Sequence, residues 1–356
     1  MVNFTKQTEE DLEYIFQRVA PAWVHTKCSV LITGANGFLG YYMSRFFIRY
    51  FKELELEKLS LADLNVNINT TGFSANINII NCDLTDLENV PSEIFDHDII
   101  INLASFASPV KYRSDPIGTI QGSVTSVWGF LERYVQRTKT KGCFQIFSSS
   151  EIYGDPTPEN IPTSEEYWGN VSCLGPRSCY DESKRFVETL GYNYAKKYKK
   201  NISIVRPFNN YGPGMKLNDG RLPADVMRAI IERRTLDVFS DGTPTRSFCY
   251  VADAIVGYLL ALCIRGFTVF NIGSDAEEIS IKNFVERSSK VSAKFYSKPL
   301  HYQFSKSDDA EFLTNNPNRR FPNIGKARKI LKYDPSISIE DGMERWIQFE
   351  QQRAGN

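Results

Sequence analysis

Short apolar runs alternate with amphipathic stretches along most of this chain. Apolar runs of a few residues closed by turn formers read as buried parallel strands, and a repeat near 3.6 reads as a helix. Cys28–Thr33, Lys58–Ala62, Ile77–Asn81, Asp98–Leu103, Phe144–Ser148, Asn201–Arg206 and Val269–Ile272 fit the first pattern. Helices are predicted over Tyr41–Phe51, from Asp115-Pro116 to Arg137, and from Pro176 through Lys200. Further helices follow over Pro223–Arg233, Val251–Ile264 and Ile281–Val291, with a last pair after Pro322. Alternating strands and helices predict an α/β fold built on a doubly wound parallel sheet. The stretch after Pro207 is rich in turn formers, and there the chain is expected to leave the sheet and build a smaller lobe. The predicted division is a helical extension over 1–27, a sheet domain over 28–207 with a return segment near 251–273, and a lobe from 208–250 and 274–350. In the extension Leu12, Ile15, Phe16 and Val19 share one side of an acidic amphipathic helix. That helix is expected to pack on the surface and take no part in chemistry.

Composition narrows the picture. The 356 residues carry 42 basic and 42 acidic side chains, so nothing draws the chain as a whole to nucleic acid or to an anionic membrane. The longest apolar run, around Ile255–Ile264, is too short to span a bilayer, and the N-terminus is acidic where a secretory signal is basic. Seven cysteines without a C-x-x-C spacing, beside three histidines, argue against a disulfide framework and against a metal site. A cytoplasmic, reduced location is expected.

Chemistry enters at Gly34-Ala35-Asn36-Gly37-Phe38-Leu39-Gly40, between the first strand and the first helix after it. Glycines there let the backbone turn, approach a pyrophosphate and pack the helix on the sheet, while the helix N-terminus offers free N–H groups. This is a Rossmann-type dinucleotide site by its context of strand, loop and helix. Asp63, at the end of the second strand, is placed to accept from the adenine ribose hydroxyls. No Lys or Arg occurs from Leu59 to Val110, which favours NAD over a 2′-phosphorylated cofactor, with Arg45 the one cation that could fold back. Asp83 and Leu84 are expected near the adenine. After the fourth strand, Leu103, Ala104 and Ser105 leave room for a cofactor across the strand ends. Tyr180 and Lys184 stand four apart on one helix, so they share a face. An ammonium beside a phenol favours the phenolate and so makes a base for a hydroxyl proton. Ser149, Ser150 and Glu151 follow the central strand into the same crevice, and Glu151 is hard to explain as a turn former.

Together these residues give a recognisable pattern. With Ser150-Glu-Ile-Tyr-Gly-Asp155, Gly175-Pro-Arg-Ser-Cys-Tyr-Asp-Glu-Ser-Lys-Arg185, Asn218-Asp-Gly-Arg221, Thr245-Arg-Ser-Phe248 and Arg319-Arg-Phe-Pro322, the chain resembles the extended short-chain dehydrogenase/reductase superfamily of nucleotide-sugar epimerases, dehydratases and decarboxylases. Within it, the serine-glutamate step and the Arg320 segment are most similar to the UDP-glucuronate decarboxylase branch, and the similarity runs from Cys28 to about Phe349. The resemblance implies resident NAD, a nucleotide-sugar substrate and a homodimer formed through the helices that carry Trp128 and Tyr180. It implies that Tyr180 takes the sugar C4 proton, Lys184 holds the nicotinamide ribose, and Ser149 or Ser150 bonds the C4 oxygen. Glu151 and Arg320 would serve the reacting end of the sugar, with Asn209, Arg221 and Arg246 on the nucleotide diphosphate or its ribose and Tyr112 beside the sugar. Decarboxylation of UDP-glucuronate to UDP-xylose is the favoured outcome. The alternatives are a UDP-sugar 4-epimerase, a 4,6-dehydratase and, more distantly, a non-catalytic NAD sensor. Asn102 and Phe106 stand where the decarboxylases have histidine and proline.

Overall fold

The computed structural model describes residues 4–137, 142–309, 311 and 314–354. Thr5 accepts from Thr8 N and so caps the first helix, α1 (Lys6–Val19). Then follow β1 (Cys28–Thr33), α2 (Phe38–Arg49), β2 (Leu56–Asp63), β3 (Ile77–Asn81) and β4 (Ile99–Asn102). A short helix, α3 (Pro109–Ser114), was not legible in the apolar pattern; Pro109 opens it, and it carries Tyr112. Next come α4 (Pro116–Gln136), β5 (Cys143–Phe147), α5 (Ser178–Tyr198), β6 (Ile202–Pro207), α6 (Leu222–Glu232), α7 (Val251–Leu262) and β7 (Phe267–Ile272). The chain closes with α8 (Ile281–Ser292), α9 (Gly325–Leu331) and α10 (Ile339–Ala354). The expected helix from Pro176 starts later: Ser178 is its first residue, and Pro176 lies in the loop before it.

The strands form one seven-stranded sheet in the order β7-β6-β5-β4-β1-β2-β3, and every neighbouring pair runs parallel. Apolar side chains face helices on both sides, as a sheet buried on both faces requires. Strand order reverses between β4 and β1, so a crevice opens at their C-terminal ends. Asn102 pairs with Thr33 and Ile146 in register, which puts the loops after β1, β4 and β5 side by side. Short strands at Thr245–Arg246, Ile279–Ser280 and Arg319–Arg320 form a separate small sheet. Arg246 and Arg320 are partners in it.

α1 is bound tightly into the body of the protein. Leu12, Ile15 and Val19 are fully buried, and Phe16 stacks on Tyr50 with ring centres 4.0 Å apart. Asp11 is fully buried as well, and it joins α1 to Tyr42 of α2, Tyr250 at the start of α7 and Arg345 of α10. Among the described residues no helix is long and apolar enough to cross a membrane.

Candidate active site

The loop after β1 lies against the end of β4. Gly34 holds a φ of +66°, and a Cβ there would stand 2.8 Å from Ala104 N, so only glycine fits. A Cβ at Gly40 would meet Gly34 O at 2.2 Å, which is how α2 comes close to the sheet. Phe38 and Leu39 open α2 with their N–H groups at the crevice. Asp63 accepts from Asn36 N (2.9 Å) and Leu64 N (2.8 Å), so its carboxylate stands at the rim of the glycine loop. Leu103 N donates to Thr33 O and Ala104 N to Thr33 Oγ1, while Ser105 meets Ser123 at 2.9 Å. Asp83 closes a turn by accepting from Thr85, and Leu84 is buried behind it. Arg45 does not fold back to the ribose side: its guanidinium lies 3.5 Å over the Tyr41 ring and donates to Tyr41 O. This cradle of small residues, free N–H groups and one carboxylate fits a dinucleotide whose ribose carries no extra phosphate.

The loop after β5 carries the candidates Ser149, Ser150 and Glu151. Ser149 caps a single helical turn, Ser150–Tyr153, by accepting from Glu151 N. That turn aims Glu151 at two arginines distant in sequence. Arg177 Nη2 donates to Glu151 Oε2 at 2.5 Å and Arg320 Nη2 to the same oxygen at 2.6 Å. Burial pushes the Glu151 carboxyl up, but Arg177 and Arg320 outweigh it and hold the group well below the usual carboxylate range. Asp181 moves the other way, pushed up by burial and by the Glu151 charge. Both acids face Arg177, and Glu151 keeps the charge because Asp181 stands farther off, at 3.8 Å.

Tyr180 and Lys184 share one face of α5 and are both buried. Lys184 Nζ donates to Phe147 O (2.9 Å) and lies 5.6 Å from the centre of the Tyr180 ring. Burial pushes the Tyr180 phenol up to about 12, eased by a hydrogen bond with Ser149, and burial pulls the Lys184 ammonium down to about 8. The expected lowering of the phenol by Lys184 is therefore not a property of the protein alone: burial dominates at both groups, and the cation that lowers Tyr180 is Arg221. Tyr112 stacks on Tyr180, ring centres 5.2 Å apart and planes within 17°.

The remaining candidates divide. Asn209 donates to Ser247 O and faces Arg320 Nη1 at 3.5 Å, so it joins the Glu151 group. Arg246 is buried among the carbonyls of Thr245, Pro317 and Asn318, and burial pulls it down to about 9. No carboxylate pairs with it among the described residues. Arg221 is held instead by the carboxylate of Asp219, two residues earlier. Arg177 and Asp181 were not singled out from sequence. Their signal is the i, i+4 spacing of arginine and aspartate around Tyr180, read there only as part of a motif. Among the described residues no cluster of His, Cys, Asp and Glu is placed to hold a metal.

A family model described as the NAD dependent epimerase/dehydratase family matches residues 30–273. UDP-glucuronic acid decarboxylase 1 of Xenopus tropicalis is 30% identical over 323 residues, covering 90% of this chain and 71% of that protein. UDP-glucuronic acid decarboxylase 1 of Arabidopsis thaliana is 36% identical over 252 residues, 70% of this chain, and the match spans 54% of that protein, just over half its length. The crystal structure of UDP-glucuronic acid 4-epimerase from Bacillus cereus, in complex with UDP-glucuronic acid and NAD, superposes with a TM-score of 0.71 at 25% identity, over 91% of this chain and 99% of that one. With a glycine cradle shaped for a dinucleotide and a matched model over most of its length, this chain belongs to the NAD dependent epimerase/dehydratase family of the extended short-chain dehydrogenases, and NAD is its cofactor.

Proposed function

We propose that the protein decarboxylates UDP-glucuronate to UDP-xylose through a 4-keto sugar. The observation that carries this reading is Glu151, an ionised carboxylate between Arg177 and Arg320, beside the Tyr180–Lys184 pair. NAD, held by the glycine loop and Asp63, would supply the acceptor for the C4 hydride and the hydride for the later reduction. Tyr180 accepts the C4 hydroxyl proton, and Ser149 and Ser150 bond the C4 oxygen. Lys184 donates to the nicotinamide ribose, and the Ser149 hydrogen bond and the Arg221 charge oppose the burial that holds Tyr180 high. Once C4 is a ketone, the C6 carboxylate is a β-keto acid, and it leaves as carbon dioxide with the electron pair passing to the C4 oxygen. Tyr180, Ser149 and Ser150 stabilise that enolate as preorganised donors. Solvent water then supplies the proton at C5, and Tyr180 gives its proton back to the C4 oxygen as C4 is reduced.

Glu151 suits a fixed acceptor better than a proton carrier, because a carboxylate held this low is a weak base at neutral pH. Arg320 keeps a spare donor for the sugar hydroxyl or carboxylate, since its buried Nε has no partner among the described residues. Arg246, a buried cation without a carboxylate, suits the nucleotide diphosphate, as do Arg221 and Asn209. A homodimer through α4 and α5 belongs to the same reading: Trp128 and Phe186 are exposed, ring centres 6.3 Å apart, on neighbouring helices.

A 4-epimerase acting on the same sugar is the second reading, because it needs the same Tyr180 and Lys184 and is the activity named for the Bacillus cereus structure. In that chemistry the charge of Glu151 has no obvious task. The purified protein should be incubated with UDP-glucuronate and its products identified by mass. Carbon dioxide and a UDP-pentose are expected. A product of unchanged mass with inverted C4 would replace the proposal with the epimerase, and a 4-keto-6-deoxy product from a nucleotide hexose would replace it with a dehydratase.

A further inference from the structure

Arg177 stands in the loop just before α5, and its guanidinium is largely buried. It meets Glu151 at 2.5 Å through Nη2, lies 3.8 Å from Asp181 through Nε, and has its guanidinium carbon 5.8 Å from the centre of the Tyr112 ring. Both it and Arg320 donate to Oε2 of Glu151, and Oε1 makes no hydrogen bond among the described residues. One guanidinium would neutralise the charge of Glu151. A second has only Asp181 left to offset it, at 3.8 Å and pushed up towards its neutral form, which costs stability in a desolvated place. The network is also left unfinished where a purely structural one would close: Arg177 Nε and Asp181 Oδ1 are buried without hydrogen-bond partners. Arg177 therefore makes its short bond to Glu151 and only a long contact to Asp181 in the first turn of α5.

We propose that Arg177 is a positioning residue of this site, fixing Glu151 as a carboxylate with Oε1 free for a donor from the substrate. Its kinetic consequence rests on the functional reading above. Glu151 is faced by Arg177 before α5, Asp181 and Tyr180 on α5, Tyr112 on α3, and Arg246 and Arg320 from the small sheet. Arg177 and Arg320 are the two cations that touch it. Removing Arg177 leaves burial opposed by one contacting guanidinium, so the carboxyl moves up towards its ordinary range.

The test has two arms. In the first, the carboxyl carbons of uniformly labelled protein are titrated by NMR, and the Glu151 signal is assigned by its loss in Glu151→Gln. In the wild type this signal is expected to stay flat through the ordinary carboxylate range of about 4, and in Arg177→Met to titrate there or higher. In the second arm, turnover of UDP-glucuronate by Arg177→Met is expected to fall about 10²-fold, with KM held and an acid limb that follows the new Glu151 titration. Adding Arg177→Met to Glu151→Gln is expected to cost nothing more, because the arginine acts through the acid. An unmoved Glu151 titration, or losses that multiply in the double variant, would overturn the assignment. If the wild type turns over no UDP-glucuronate, the functional reading fails, while the NMR arm still decides whether Arg177 holds Glu151. Should Arg177→Met not fold, Arg177→Lys is read the same way, with a smaller upward shift because one point charge replaces the fork.

Discussion

Asp11, fully buried, and Glu151, mostly buried, are carboxylates ringed by arginine and tyrosine, and they end in opposite states. Asp11 accepts on both oxygens: Gln7 (3.2 Å) and Arg345 (2.9 Å) at Oδ1, Tyr42 and Tyr250 (each 2.7 Å) at Oδ2. Two of those donors are neutral phenols, and the single arginine is partly open to solvent. Burial therefore wins, and the Asp11 carboxyl is raised. Glu151 is touched by two guanidiniums on one oxygen with the other left unbonded, and its carboxyl is lowered. Neutral donors satisfy a carboxylate's geometry, whereas cations also fix its charge. The saturated cluster ties four helical segments together. The unsaturated one keeps bonding capacity for a ligand.

The largest effect expected is at Tyr180, beside the unsaturated cluster. Tyr180→Phe removes the only proton acceptor proposed for the C4 hydroxyl, and turnover should drop about 10³-fold with thermal unfolding unchanged. Steady-state assays with UDP-glucuronate check this, and an undiminished rate would take the base away from Tyr180. Next comes a crossed pair. Glu151→Gln should cost about 10²-fold in turnover and about 2 kcal/mol of stability at neutral pH, whereas Asp11→Ala should cost about 3 kcal/mol of stability and leave the turnover of folded molecules alone. Thermal unfolding and rate measured on the same preparations would break the comparison if the two losses fell the other way round.

The smallest effect sharpens the contrast through pH. The Glu151 carboxyl is depressed from 4.5 to about 2, so its ionised form contributes stability above about 4.5 that is lost as pH falls towards 2. Asp11 is raised above 3.8, so its contribution has the other sign: present below that value and lost as pH rises through the folded-state value. Denaturant unfolding across pH should show Glu151→Gln flattening the acid-side loss by about 2 kcal/mol. Asp11→Asn should leave that acid-side loss in place and remove a decline at higher pH. Equal acid slopes in wild type and Glu151→Gln would mean that Glu151 is not held ionised.

Much of this architecture was legible in advance. The apolar runs located the seven strands to within a residue or two, and the glycine loop and Tyr180–Lys184 are local spacings that a sequence displays directly. Glu151 stood out because a carboxylate among turn-forming serines needs a reason. α3 was missed because six residues are too few to show a period. The buried role of α1 was understated: its apolar side was plain, but nothing local says that Asp11, on an acidic helix, is enclosed by residues from three other segments. Arg319 and Arg320 are neighbours in sequence, and strand alternation sends the first outward to Glu278 and the second inward to Glu151.

By itself the sequence determined the elements, the dinucleotide loop and the candidate side chains, since these depend on neighbours within a few bonds or one helical turn. Tertiary structure alone decided which carboxylate is charged. Arg177 and Arg320 reach Glu151 across 26 and 169 residues of chain, and a phenol read as tuned by its lysine stands instead at about 12 because both are buried. Ionisation follows distance and solvent in three dimensions, and neither is written in the spacing of residues along a chain.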